Sequence, residues 1–382
     1  MGRNIKVCVL FEGDSQSGGA FYQQLSTIDE LIKQNDCETI ITVLDKKAKH
    51  FFSVKGVKVY YLKLTFYDKI LRLFNRSNFF RSLNFKSSFE SKLIKKKVDL
   101  IYFLSPSGLA LSLTKLNFIF TLWDLCHLEY QEFPEVYENR IFENREILYK
   151  AALRKAIAII TESEIGKKNI SKYYLVDENK IYVNHFLSPI KEKFKSYNNF
   201  QGGDYIFYPA QFWVHKNHKV IIDAIKILRE ENIILNAVFV GSDKGNLGFL
   251  KNYSEKLNLE SLIHFLGFVN DDELYSLYKN SLALVMPSYF GPTNIPPIEA
   301  FDIGTPVLYS KHLKYKTVSS AFFFDNQNPN SLVKSLKYLL KNKNLNVKII
   351  KEGKNSLINN SNFIQNIKEI LTQFQIKKSC GS

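Results

Sequence analysis

The residues best placed to do chemistry in this chain of 382 residues follow an apolar run at 283–286. A loop over 291–295 without long side chains leads into Pro296 and Pro297, whose fixed φ suits the first turn of a helix; Glu299 then lies one turn in. Such a helix start offers unpaired backbone N–H groups and the positive end of the dipole, a ready seat for a phosphate. Glu299 is spaced to accept hydrogen bonds from vicinal hydroxyls, such as those of a ribose. An ordinary Pro-initiated helix with a carboxylate favourable to its dipole has the same features. Gly304 ends the helix ahead of Thr305-Pro306-Val307, which the ordinary reading does not require.

Three other places hold polar groups just after apolar runs. Lys216 lies in the segment 208–218, Gly18 and Gly19 follow the run 5–11, and Trp123, Asp124 and His127 follow the run 117–122. Each has a plainer reading: Lys216 as a surface lysine, Gly18-Gly19 as a turn, Asp124 as a helix N-cap and His127 as a buried capping side chain.

The elements that must position these groups alternate along the chain. Strands are expected at 5–11, 39–44, 57–62, 100–104, 117–122 and 156–161, with helices at 21–33 and 140–154. A polar stretch at 188–204 reads as a linker, and the rhythm then restarts. Strands are expected at 205–208, 236–240, 263–266, 283–286 and 306–309, and helices at 220–231, 247–257, 271–279, 297–303 and 361–375. This pattern predicts an α/β protein of two doubly wound parallel-sheet domains facing across a cleft, with ligands bound beyond the carboxyl ends of the strands. The boundaries are 1–190 for the first domain, 191–203 for the linker, 204–360 for the second domain, and 361–382 for a helix and tail able to pack back on the first domain.

Composition sets the outer limits. Hydrophobic residues make up 45% and aromatic residues 14%, far from a disordered composition. Cys8, Cys37, Cys126 and Cys380 have no paired spacing, which argues against a disulfide framework or zinc site and fits a reducing cytoplasm. The first residues do not resemble a secretory signal, and no apolar run is long enough to span a membrane. The net charge of +15 is concentrated. Residues 46–97 hold 15 Lys and Arg against Asp68 and Glu90, a local charge of +13. Within them, 66–81 interleaves apolar and basic side chains at near-helical spacing. That pattern suits either an interfacial helix on an anionic membrane or a packed helix with a solvated basic face. No nucleic-acid-binding motif accompanies the charge.

The segment 287–307 resembles the signature of the retaining glycosyltransferase family four, of the GT-B fold and also called glycosyl transferases group 1: a loop, a Pro-Pro helix start, a Glu, then Gly-Thr-Pro-Val. The resemblance extends to 208–218, to Phe265-Leu266-Gly267-Phe268-Val269 as a nucleotide-base loop, to 161–164 and to 321–325. It implies two Rossmann-like domains and transfer of a sugar from a nucleotide-sugar donor (UDP, GDP or dTDP) to a glycan or lipid-linked acceptor of bacterial surface polysaccharide. Lys216 would bind the donor diphosphate, Glu299 the ribose, and the backbone at Asn294 and Ile295 the phosphates, with Thr293 also in the donor site. Gly18, Gly19, Gln211, Asn217, Gly241, Phe268 and Val269 would complete the donor site. Lys216, Asp124 and His127 are the candidates for catalysis.

The chain departs from the family pattern at three places. Gly291 stands where a second Glu is usual, Gln211 where an Arg is usual, and Trp123 where a cleft His is usual. Asp124 and His127 are then candidate replacement groups, in a divergent subgroup. Fixed positive groups on the leaving diphosphate would take the place of a metal, so no metal or other cofactor is expected. The implied location is the cytoplasm, peripheral at the inner face of the membrane, with residues 46–97 on the lipid surface and no nucleic-acid partner. The competing readings are a nucleotide-sugar 2-epimerase-like isomerase and a basic membrane- or polyanion-binding protein without catalysis.

Overall fold

The computed structural model describes residues 4–12, 19–33, 37–83, 85–186, 188, 190, 200–291, 294–313, 321–358 and 362–380. β-Branched and aromatic runs form thirteen strands among them. The first seven are β1 (Lys6–Phe11), β2 (Glu38–Val43), β3 (Tyr60–Tyr61), β4 (Leu100–Phe103), β5 (Asn117–Thr121), β6 (Ala158–Thr161) and β7 (Ile181–Val183). The remaining six are β8 (Tyr205–Pro209), β9 (Asn236–Val240), β10 (Ile263–Phe265), β11 (Ala283–Met286), β12 (Val307–Ser310) and β13 (Phe322–Phe324).

They build two parallel sheets, ordered β3-β2-β1-β4-β5-β6-β7 and β10-β9-β8-β11-β12-β13. In each, the chain runs outward from the first strand to one edge and then crosses back beside it. This is the doubly wound order, with its switch point between β1 and β4 in one sheet and between β8 and β11 in the other. Both sheets are Rossmann-like, as expected.

The chain divides into two compact units. The first contains Met1–Leu125, Arg140–Leu187 and Ser361–Ser382; the second contains Cys126–Asn139 and Ser188–Asn360. A single cut near residue 190 therefore misplaces Cys126–Asn139. Its apolar side chains Cys126, Phe133 and Val136 pack with Phe290, which anchors the segment in the second unit. The helix Phe363–Cys380 seats Phe363, Ile367, Ile370 and Leu371 in the core of the first unit, and Asn366 donates to the Val183 carbonyl at 2.9 Å.

Central strands are buried on both faces, as a sheet covered by helices on each side requires. Two short edge strands, β7 and β13, lie outside the sequence expectation, and the expected strand at 57–62 shrinks to β3, which pairs only with β2. An edge strand needs little apolar length, so its periodicity is weak.

Candidate active site

The topology brings the loops after β8 and β11 side by side at the switch point of the second sheet. These loops carry most of the donor-site residues expected from the sequence. After β11, Ser288 and Asn294 are buried and the chain enters the helix Ile295–Ile303, with Asn294 as N-cap and prolines in its first turn. Pro296 and Pro297 have no N–H, so the Ile295 amide is the first free donor of that turn. The Asn294 side chain does not cap it. Its Nδ2 donates instead to the Gly291 carbonyl at 2.9 Å and to the Tyr309 hydroxyl at 2.7 Å, fixing the loop to β12. Thr293 lies outside the described residues.

Glu299 projects into the interior, 7% exposed, and its Oε2 accepts a 2.6 Å hydrogen bond from the Tyr278 hydroxyl. Burial pushes its carboxyl up to about 7; the Tyr278 bond opposes that shift and Asp271 adds to it. The helix stops at Gly304, whose φ of 98° is left-handed, and Thr305 Oγ1 donates to the Tyr278 carbonyl at 2.8 Å. Tyr278 is thereby tied to the middle of the helix that carries Glu299 and to the segment just past its C-terminal end.

Gly291 has φ of 119°, and a Cβ there would stand 2.7 Å from Asn294 Oδ1. A glutamate at this position would need a strained backbone and a displaced Asn294. The departure from the family pattern at 291 is thus built into the loop rather than confined to one side chain.

The loop after β8 makes a 3₁₀ turn, Val214–Lys216, and reaches the helix His218–Glu230 through Asn217 in the left-handed region, φ 54°. Asn tolerates that conformation better than most residues. The Asn217 side chain donates to the Asn326 carbonyl at 2.7 Å, and the Tyr208 hydroxyl to the Lys216 carbonyl at 3.1 Å, so both sides of the Lys216 backbone are held. Lys216 is half-buried. Gln211 Oε1 accepts from Trp213 Nε1 at 3.0 Å. Gly241, at the end of β9, admits no side chain, because a Cβ would lie 2.3 Å from the Ala210 carbonyl oxygen; its own N–H donates to the Gly267 carbonyl at 2.9 Å. Phe268 is 74% exposed beside Val269, which packs on the core.

One partner of this loop has no signal in the local sequence. Glu135, from Cys126–Asn139, takes the His215 backbone N–H at 2.9 Å and the His215 Nδ1 on the same oxygen. The His215 ring stacks on Phe290, centroids 4.0 Å apart at 12°. Burial alone would raise the Glu135 carboxyl, but the His215 contacts outweigh it and hold it below its ordinary range.

In the first unit, a cavity of about 570 Å³ opens at the β1/β4 switch point, walled in part by Glu12, Arg72, Trp123, Asp124 and Arg145. Asp124 pairs with Arg145 at 3.0 Å. Gly19 opens the helix Gly19–Ile32, and Gly18 lies outside the described residues. His127 belongs to the second unit and has no exposed surface, so the two groups expected together after β5 are divided between units, and His127 is a core side chain in this conformation.

Residues 189–356 match the family model of Glycosyl transferases group 1. The O-antigen chain mannosyltransferase RfbU of Salmonella typhimurium is 29% identical over 178 residues, covering 47% of this chain and 48% of its own length. An Escherichia coli UDP-Gal:α-D-GlcNAc-diphosphoundecaprenol α-1,3-galactosyltransferase is 27% identical over 167 residues, 42% of each chain. The chain thus spans about half the length, or less, of these curated relatives. Among solved structures, Anabaena HepE in complex with UDP-glucose superposes with a TM-score of 0.69 at 15% identity, over 98% of this chain and 100% of that one. The two Rossmann-like sheets are therefore those of the GT-B fold, and residues 189–356, nearly all of the second unit, are similar in sequence to the group 1 glycosyl transferases.

Proposed function

We propose that the protein is a glycosyltransferase that moves a sugar from a nucleotide-sugar donor to a hydroxyl of a glycan acceptor. The observation that carries this reading is the convergence, at one switch point, of the Ile295–Ile303 helix start, Glu299 and the braced loop of Lys216. Glu299 would hold the ribose, and the Asn294 and Ile295 backbone with Lys216 the diphosphate. Gln211, Asn217, Gly241, Phe268, Val269 and Thr293 would complete the donor site.

Negative charge grows on the diphosphate as the sugar leaves. Lys216 and the helix dipole act on that charge electrostatically, so neither a nucleophilic side chain nor a metal is needed. Attack from the face that the diphosphate leaves gives retention at the anomeric carbon. Asp124, held by Arg145 in the wall of the first-unit cavity, is the acceptor-side polar group of this reading. The curated relatives are named for the O-antigen chain and for a diphosphoundecaprenol-linked sugar, which supports a lipid-linked acceptor in surface polysaccharide synthesis.

Calorimetry with UDP, GDP and dTDP, followed by turnover of the matching nucleotide sugars, tests the reading. One nucleoside diphosphate should bind, and Lys216→Ala and Glu299→Ala should each weaken it at least tenfold. Full activity of both variants with the preferred donor would remove the site assignment. Turnover to an isomerised donor without an acceptor would replace transfer with epimerisation.

A further inference from the structure

We infer that residues 66–83 and Phe85 of the first unit form a docking surface for an anionic lipid bilayer. The helix Phe66–Phe74 is started by a reciprocal cap between Thr65 and Asp68, and it buries only Asp68 and Leu71. Asp68 also accepts from the Phe89 N–H at 3.0 Å, so the inner face is pinned to the helix Ser88–Lys95. The outer face is left apolar. Phe66 is 79% exposed and Leu73 61%, and the series continues through Phe74, Phe79, Leu83 and Phe85.

The surface is one structure rather than scattered side chains. Arg81 donates to the carbonyls of Asn75 and Arg76, tying the short helix Asn78–Ser82 back to the first, and Phe74 packs on Phe80 with centroids 4.7 Å apart. Isolated exposed apolar residues need no explanation; a contiguous group on an ordered pair of helices marks a contact surface.

Charge selects the partner. Lys63, Lys69, Arg72, Arg76 and Lys86 are exposed in the same stretch, and the one acidic residue from 63 to 86, Asp68, is buried in its cap. A second copy of the chain would bring like charges together. Nucleic acid would use the cations but leave Leu73 and Leu83 in water. An anionic bilayer takes both, with the rings and leucines at the headgroup boundary and the cations on the phosphates. Among the described residues no helix is long and apolar enough to cross a membrane, so this is docking and not spanning. The structure also narrows the basic segment: Lys46–Val54 turns Ala48 and Phe52 into the core and carries less of the exposed apolar surface. Arg72 joins the patch to the wall of the first-unit cavity, which would bring a membrane-borne ligand to Trp123 and Asp124.

The inference stands apart from the donor-site reading. The full chain should co-sediment with vesicles of phosphatidylcholine and phosphatidylglycerol, release at high salt, and ignore vesicles of phosphatidylcholine alone. Phe66→Asp with Phe79→Asp should abolish co-sedimentation, and Lys69→Glu should weaken it by roughly fivefold or more, as one surface cation is worth that much. All variants should keep wild-type melting temperatures and nucleoside-diphosphate binding, so failure of the donor reading shows separately. No vesicle binding, binding untouched by both sets of substitutions, or preference for RNA or self-association over vesicles would overturn it.

Discussion

Tyr278 and Glu299 share a 2.6 Å hydrogen bond from helices 271–280 and 295–303, and the bond partly offsets the burial that keeps the carboxyl protonated. With Glu299 pushed up to about 7, only the ionised fraction can accept two ribose hydroxyls. Nucleoside-diphosphate affinity is therefore expected to rise with pH through about 7. Tyr278→Phe removes a bond that favours the anion and should move that midpoint up by roughly one unit. Glu299→Gln should flatten the profile. A wild-type affinity that is already flat across the neutral range would take Glu299 out of the ribose role.

Gly291 gives a sharper test of how far the family pattern can be restored. With φ at 119° and the Asn294 amide in the space of a Cβ, Gly291→Glu should not recover the usual second carboxylate. Gly291→Ala is expected to cost about 1–3 kcal/mol from left-handed strain alone. Because the crowded atoms belong to the N-cap of the helix proposed to face the phosphates, nucleotide affinity should fall as well. Thermal melts and calorimetry on the two variants check this, and a Gly291→Glu protein that binds donor more tightly would contradict it.

What the sequence revealed divides along physical lines. Helix starts were legible where proline and glycine punctuate, as at Pro296, Pro297 and Gly304, because those residues constrain φ locally. Central strands such as β9 and β11 were legible because burial on both faces demands apolar runs. The short edge strands β7 and β13 and several surface helices carried no such demand. The partners of the site residues were hidden for another reason: Tyr278 lies 21 positions from Glu299 and Glu135 lies 80 from His215, and periodicity cannot pair positions that only tertiary packing joins. The division of Asp124 and His127 was hidden likewise, since nothing between them marks a change of unit.

Glu162 offers a stability test inside the first unit. It is 1% exposed at the end of β6, takes hydrogen bonds from Thr161 and Ser163, and is pushed up to about 8 by burial, with Asp124 adding to the shift. A carboxyl raised in the folded state binds its proton more tightly there than when unfolded, so its stabilising effect is present at low pH and declines from about 4.5 to about 8. Glu162→Gln keeps the neutral shape without the ionisation. It should match wild type near pH 5 and exceed it at pH 9 by a margin on the order of 4 kcal/mol. Parallel denaturation curves at both ends would refute burial of a protonated Glu162.

Glu135 makes the last case, because its reach to the proposed donor site is indirect. It holds the His215 N–H and ring, His215 stacks on Phe290, and these two residues sit beside Lys216 and Gly291. Removing the carboxylate with Glu135→Ala leaves the His215 amide short of a buried acceptor and loosens the Lys216 loop, at about 1–3 kcal/mol. Glu135→Gln keeps an acceptor oxygen and should retain most of both stability and binding. A positioning role predicts that the Ala variant loses nucleotide affinity by about tenfold even where it remains fully folded, which a merely structural contact would not do. Since the Glu135 carboxyl is held low in the folded state, its contribution is present above its unfolded value and fades as pH falls through the lower folded one. The difference in stability between wild type and Glu135→Ala should therefore shrink in acid. Equal nucleotide affinity in the folded Ala variant would reduce Glu135 to packing.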